Sequence, residues 1–295
     1  MTDNSSDPAA PGRLTAEVVK SLELTEVGPD TWQAAHLEHG RGVAFGGTLL
    51  GQAILAATKA QPGKNVKSVQ TIFARPIRVD TPADISARTL HSGRNLGSVA
   101  IDFSQQGKIG ASMLVLLETP EPDLVRYQGP SAPEVAPPDP AAAANHALAA
   151  PETIIVGDVD IVARDQTGPA SLQLWVRFPQ ADADDALHRA LLAHCTDGWL
   201  IATAMRPHEG LGQAMAHVEV STGVVSHALS FHGEVDASAW LLIDHTTTFS
   251  GGGRTYGQGH VFTEGGELVA SFVQEALLRH FPEGQNPAGK KATVF

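Results

Sequence analysis

The segment from Phe73 to Leu117 is written a second time, with changes, as Phe231 to Leu277. Phe73, Gly93-Arg94, Gly97, Gly107 and Ala111-Ser112 return as Phe231, Gly253-Arg254, Gly257, Gly266 and Ala270-Ser271, at a spacing of about 160 residues, too long for a solenoid period. The echo predicts one fold used twice. Two copies rarely keep the same work, so a polar residue in one copy that is apolar in the other points to chemistry. Matching the strands after Ala111-Ser112 and Ala270-Ser271 puts Gln274 where the first copy has Val115.

A chain of 295 residues accommodates two domains of ordinary size, and 42% apolar residues allow a sizeable core. The formal net charge of -12 disfavours general affinity for nucleic acid or anionic lipid. Phosphate on a ligand must then meet a few local Arg or Lys residues. The single cysteine, Cys195, excludes an intramolecular disulfide, argues against a Cys-based zinc site, and reads as a buried inert thiol. No metal-ligand spacing stands out among the 13 histidines. Residues 1–12 carry no basic region followed by an apolar run, and no stretch is long and apolar enough to span a membrane. The expected compartment is the cytoplasm, without membrane insertion.

Residues 1–12 read as a disordered tail, 13–118 as a first domain, 119–150 as a Pro/Ala-rich linker, 151–281 as a second domain and 282–295 as a flexible tail. In copy one, Val19 to Thr31 alternates like strands. Gly46-Gly47-Thr48 opens a run through Ala57 that is apolar on nearly every face, which predicts a helix buried all round. Strands are predicted at Val66 to Ala74, Ala83 to Ser92, Leu96 to Gln105 and Gly110 to Glu118, between Gly or Pro turns. Copy two repeats the plan. A strand at Leu172 to Phe178 precedes one helix from about Ala186 to Met205, started by Asp182, Asp184 and Asp185. Strands follow at His217 to Phe231, Trp240 to Phe249, Tyr256 to Glu264 and Glu267 to His280. A buried helix and a following antiparallel meander, done twice, is an α+β architecture.

Asp197 lies in an apolar helical stretch. Matching the helices through Leu49-Leu50 and Leu191-Leu192 places it where copy one has Leu55. A buried carboxylate costs several kcal/mol unless hydrogen-bonded or useful. It either braces a neighbouring loop, pairs with His194 on the same face, or serves chemistry. Gln274 is likewise either a buried amide tying two strands or a working group. His227 reads as a satisfied histidine pointing away from the site, and Asp244-His245, neighbours on a strand, face opposite ways. Arg94 and Arg254, each after a turn glycine, suit either a phosphate or a structural ion pair. Gly251-Gly252-Gly253 opens no strand-glycines-helix unit, and no Gly-x-Ser-x-Gly elbow is present.

The order of these pieces, with Phe45-Gly46-Gly47, Phe73-Ala74-Arg75-Pro76, Trp240-Leu241-Leu242 and Val269-Ala270-Ser271-Phe272-Val273-Gln274-Glu275, resembles the acyl-CoA thioesterase II (TesB-like) family from about Leu14 to Phe281. The resemblance implies a double hotdog, two sheets each wrapped around a helix and joined into one, a homo-oligomer, an acyl-CoA substrate and no cofactor. It implies that an aspartate at Asp197 activates water and that a glutamine at Gln274 orients it. The family's third residue is a threonine, and here Val224 stands in its place. Strand alternation puts Thr222 and Ser226 on the face of Val224, about 7 Å away on either side, as alternative hydroxyls. Hydrolysis of a thioester needs a positioned water, a base and an oxyanion donor. Gly46 and Gly47 at a helix start, with Arg94 and Arg254, are the expected substrate-binding residues. The alternative is an acyl-CoA-binding protein of this fold that has lost its chemistry. A hotdog hydratase needs a paired Asp and His, and no such pair has credible spacing.

Overall fold

A computed structural model describes residues 11–36, 42–146, 150–181 and 184–281. Asp182, one of the expected helix starters, and most of both expected tails lie outside the described residues. The elements are α1 (Pro11–Ser21), β1 (Thr25–Gly28), β2 (Thr31–Ala34), α2 (Gly46–Ala60), β3 (Asn65–Phe73), β4 (Ala83–Ser92), β5 (Leu96–Gln105) and β6 (Lys108–Glu118) in the first copy. Then come β7 (Ala144–His146), β8 (Ala150–Ile155), β9 (Ser171–Arg177), α3 (Asp185–Thr196), α4 (Leu200–Met205), β10 (Val220–Phe231), β11 (Leu241–Gly251), β12 (Arg254–Thr263) and β13 (Leu268–His280).

The thirteen strands of the described residues form one antiparallel sheet in the order β1-β2-β4-β5-β6-β3-β10-β13-β12-β11-β9-β8-β7. The order is nearly palindromic about the β3–β10 seam, where Ser68 to Ile72 pair with Ser230 to Ser226. This is the double hotdog. The echo is also a structural one: Phe73 pairs with Ala111 as Phe231 pairs with Ala270, and Gly107 and Gly266 both take positive φ in the equivalent turn. Gly257 is the exception. The β11–β12 hairpin is shorter than β4–β5, so Gly257 faces Gln274 and Thr247 where Val99 faces Val115 and Thr89, two residues on from the place of Gly97.

Three bulges recur at equivalent positions, each leaving one residue without a register partner: Lys67 and Val225, Leu90 and Thr248, Gly110 and Val269. A bulge reverses which side chains face inward beyond it. The curved sheet encloses α2 and α3, which pack antiparallel. A Cβ on Gly47 would run into the backbone carbonyl of His194, and one on Gly51 would come within 3.0 Å of that of Ala190. Glycine at these two positions therefore sets how closely the helices approach. Helix α2 is buried from Gly47 to Ala57 except at Leu55, as its apolar pattern requires.

Two further expectations fail. Val19 to Ser21 close helix α1 rather than open a strand, because Leu14, Val18 and Leu22 repeat at helical spacing and bury one stripe. The single helix expected from Ala186 to Met205 is broken at Asp197-Gly198-Trp199 into α3 and α4. Asp184 caps α3, its carboxylate accepting from Leu187 N–H at 2.9 Å. The stretch read as a linker drapes over copy two. Arg126 pairs with Glu267, Trp175 Nε1 donates to the Ala136 carbonyl, and the stretch includes β7 and the first residue of β8, which extend the sheet.

Candidate active site

The helix break makes Asp197 the C-cap of α3, buried, with its carboxylate turned toward the first turn of α2. A Cβ on Gly46 would lie 2.6 Å from Asp197 Oδ2, so only glycine lets the start of α2 come this close. Helix α2 has no side-chain cap at Phe45, and its first-turn N–H groups bring positive potential to the carboxylate. From the other side β13 supplies Gln274. Its Nε2 donates to Asp197 Oδ1 at 3.0 Å, and its Oε1 has no hydrogen-bond partner among the described residues.

Asp197 lines a cavity of about 430 Å³ together with Phe45, Gly46, Phe73, Arg75, His217 and Thr222. Leu49, Ile77, Ile201, Val224, Val225 and Leu277 make much of the remaining wall apolar. The segments Phe45-Gly46 and Phe73-Ala74-Arg75-Pro76, far apart in sequence, meet here. Gln274 touches Asp197 without lining this cavity.

The structure sorts the expected site residues. Asp197, Gln274, Thr222 and Gly46 come together. Thr222 is buried, with Oγ1 3.2 Å from His217 Nε2. Ser226 does not belong with them: the bulge at Val225 turns it to the outer face, paired with Glu275 and Ile72. Gly47 packs against α3. Arg94 and Arg254 sit at hairpins and do not line the cavity; the cation that does is Arg75, whose Nη1 donates to the Ile109 carbonyl at 2.9 Å.

His227 is corrected too. The same bulge turns it inward, where its Nδ1 lies 3.3 Å from Gln274 Nε2 and its Nε2 3.2 Å from Thr196 Oγ1. Burial, with His245 nearby, lowers its pKa to about 3, so the ring is neutral. Sequence reasoning missed His217, Arg75 and Thr196 as neighbours of the site. His217 adopts φ 63°, a conformation rare outside glycine, and no sequence pattern announces it. Cys195 is buried and its thiol is pushed up by desolvation, as an inert thiol should be.

A larger cavity, about 660 Å³, lies at the position related by the internal repeat, between the start of α3, the end of β10 and the start of β3. By the match of Leu49-Leu50 with Leu191-Leu192, His188 and Arg189 occupy there the places of Gly46 and Gly47. Arg189 pairs with Asp185 and donates to the Val66 carbonyl, filling the space that glycine opens in the other copy. Among the described residues the Asp197–Gln274 pair has no counterpart there, since Leu55 and Val115 stand in the matching places.

Tandem hotdog repeats with one asymmetric cavity, floored by an aspartate held by an amide from the second sheet, define a class of double-hotdog proteins. Within it, residues 35–117 match the profile described as the acyl-CoA thioesterase N-terminal domain, and residues 129–278 that of the acyl-CoA thioesterase C-terminal domain. The chain belongs to the acyl-CoA thioesterase family. Among solved structures it is similar to the tesB protein of Mycobacterium avium subspecies paratuberculosis, at 26% identity and TM-score 0.76, over 90% of this chain and 99% of that one. The acyl-CoA thioesterase II TesB2 of Mycobacterium marinum is 25% identical, with TM-score 0.74 over the same shares. Acyl-CoA thioesterase 2 of Haemophilus influenzae is 24% identical over 281 residues, 89% of this chain and 96% of the relative.

Proposed function

We propose that this chain hydrolyses fatty acyl-CoA to free fatty acid and CoA by a water that Asp197 activates. The observation that carries the reading is the buried Asp197 carboxylate, held at Oδ1 by Gln274, set against the start of α2 and lining a largely apolar cavity. Asp197 takes one proton from the water as its oxygen bonds to the thioester carbonyl carbon. The carbonyl oxygen becomes an oxyanion, and first-turn N–H groups of α2 stabilise it. Collapse of the tetrahedral intermediate breaks the carbon–sulfur bond and expels the thiolate, which takes the proton from Asp197 and leaves as the free thiol, restoring the carboxylate.

Thr222, held by His217, supplies the hydroxyl that Val224 lacks. Arg75 at the cavity wall suits the anionic end of CoA. The apolar residues around it suit the acyl chain. The exposed Ile72, Leu114 and Tyr256 on the outer face of the sheet favour self-association, consistent with a homo-oligomer. Among the described residues no helix is long and apolar enough to cross a membrane, which fits a cytoplasmic enzyme without requiring one.

The test is release of free thiol from acyl-CoAs of graded chain length. Asp197→Asn should lower kcat at least about a hundredfold, the usual contribution of a general base, with substrate binding retained. A parent protein that binds acyl-CoA by calorimetry without turning it over would sink the reading and leave Val224 as the mark of a binder.

A further inference from the structure

Behind Asp197 runs a chain of polar contacts that never reaches the cavity. The Thr196 hydroxyl donates to the Ala193 carbonyl at 2.9 Å, the bond an α-helical threonine makes to its own preceding turn. Its single proton is thereby used, so toward His227, 3.2 Å away, its oxygen accepts. His227 Nε2 must then carry the ring's proton, which leaves Nδ1 bare. A bare Nδ1 accepts, and the group 3.3 Å from it is Gln274 Nε2. Gln274 Nε2 then has three acceptors about it, Asp197 Oδ1 at 3.0 Å, His227 Nδ1 at 3.3 Å and the Asp197 backbone carbonyl at 3.4 Å, and its two amide protons go to the nearer two.

We propose that Thr196 and His227 are positioning residues for hydrolysis: together they lock the Gln274 side chain with its nitrogen, and not its oxygen, against Asp197. The inference rests on the reading of Asp197 as the base. An unconstrained glutamine amide has two orientations. The reversed one sets a carbonyl oxygen against the carboxylate, which repels the charged form and favours protonated Asp197, a useless base. Two features hold the relay in one state. His227 stacks on Phe272, with ring centroids 5.4 Å apart and planes 14° from parallel, so the imidazole cannot turn over freely. Complete burial, with the charge of His245 acting in the same direction, keeps His227 neutral and therefore able to accept. Among the described residues Asp197, whose Oδ1 lies 4.0 Å from His227 Nδ1, is the charged group set against it, and the amide nitrogen stands between them.

The test compares Thr196→Val, Thr196→Ser and His227→Phe with the parent in thiol release, with thermal unfolding as a control for folding. Valine keeps the shape of threonine and removes the acceptor. Thr196→Val and His227→Phe should each lower kcat about tenfold or more, the weight of a hydrogen bond to a charged group, with KM within about twofold. Thr196→Ser should restore the parent kcat, and the double variant should be little worse than either single one. Side-chain nitrogen NMR of the parent, with His227 assigned by its loss in His227→Phe, should show the Nε2–H tautomer. A folded Thr196→Val with parent kcat, or a protonated Nδ1 in the parent, overturns the relay. If Asp197→Asn retains full turnover, the parent reading of the site fails instead. The tautomer is readable whether or not any variant turns over, so the two failures are separable.

Discussion

Position 225 of β10 has no register partner, and every side chain after it changes face. Strict alternation carries Ser226 into the site with Thr222 and sends His227 away; the bulge does the reverse. The buried residues are Val220 and Thr222 before it and His227, Leu229 and Phe231 after it. On β11 the bulge comes only after Thr247, so regular alternation with Leu241 and Ile243 buries His245, edge-on to Phe272, and desolvation lowers its pKa to about 3, partly offset by the backbone of Leu172. Unfolding returns such a ring to an ordinary value near 6.5. Above that pH neither state binds the proton. Between about 6.5 and 3 the unfolded state binds it and the folded state does not, so stability falls as pH falls through this window. His245→Leu should remove one such group, sparing about 1.4 kcal/mol between pH 7.5 and 5.5 relative to the parent. Urea midpoints at the two pH values measure it, and equal losses in both proteins would reject the assignment.

Elements were more legible than their interruptions. The β4 and β5 boundaries follow from Gly and Pro turns, and α2 from an apolar run with no polar face. Asp197 and Gln274 were legible because the copies could be compared and each replaced an aliphatic residue. The break between α3 and α4 was hidden because Leu200 to Met205 continues an ordinary helical pattern, and Gly198 alone does not declare a stop. What ends α3 is tertiary: Asp197 turns to meet α2 and Gln274. The same contact explains why Gly47 is packing and Gly46 is site. An alanine Cβ at Gly47 meets the immovable His194 carbonyl, so Gly47→Ala should push α3 away and cost about 1–3 kcal/mol, as overpacking does. Because Asp197 follows His194 by three residues, thiol release should fall as well. Chemical denaturation settles it, and an unchanged midpoint would mean that the helices slide apart without cost.

The two copies are one molecule energetically as well as by descent. A single apolar cluster runs from Val18, Trp32 and Leu50 in the first copy through Leu191, Leu229 and Phe272 in the second, and the sheet crosses the seam without an edge. Cutting there would expose the paired faces of α2 and α3 and two unpaired strand edges, so each half would lose one wall of its core. The site depends on the same union: α2 comes from one copy, Asp197, Thr222 and Gln274 from the other. Four tryptophans make this measurable, since Trp32 lies in the first copy and Trp175, Trp199 and Trp240 in the second. With the other three replaced by Phe, a chain carrying only Trp32 and one carrying only Trp199 are each compared with far-ultraviolet dichroism of the same variant. In each variant, fluorescence and dichroism should report one midpoint and one slope, the mark of a shared transition. A Trp32 signal that moved before the dichroism would mean that copy one unfolds while copy two stands. Asp197 would then lose the start of α2 before the molecule lost its fold, and activity would fail ahead of global unfolding.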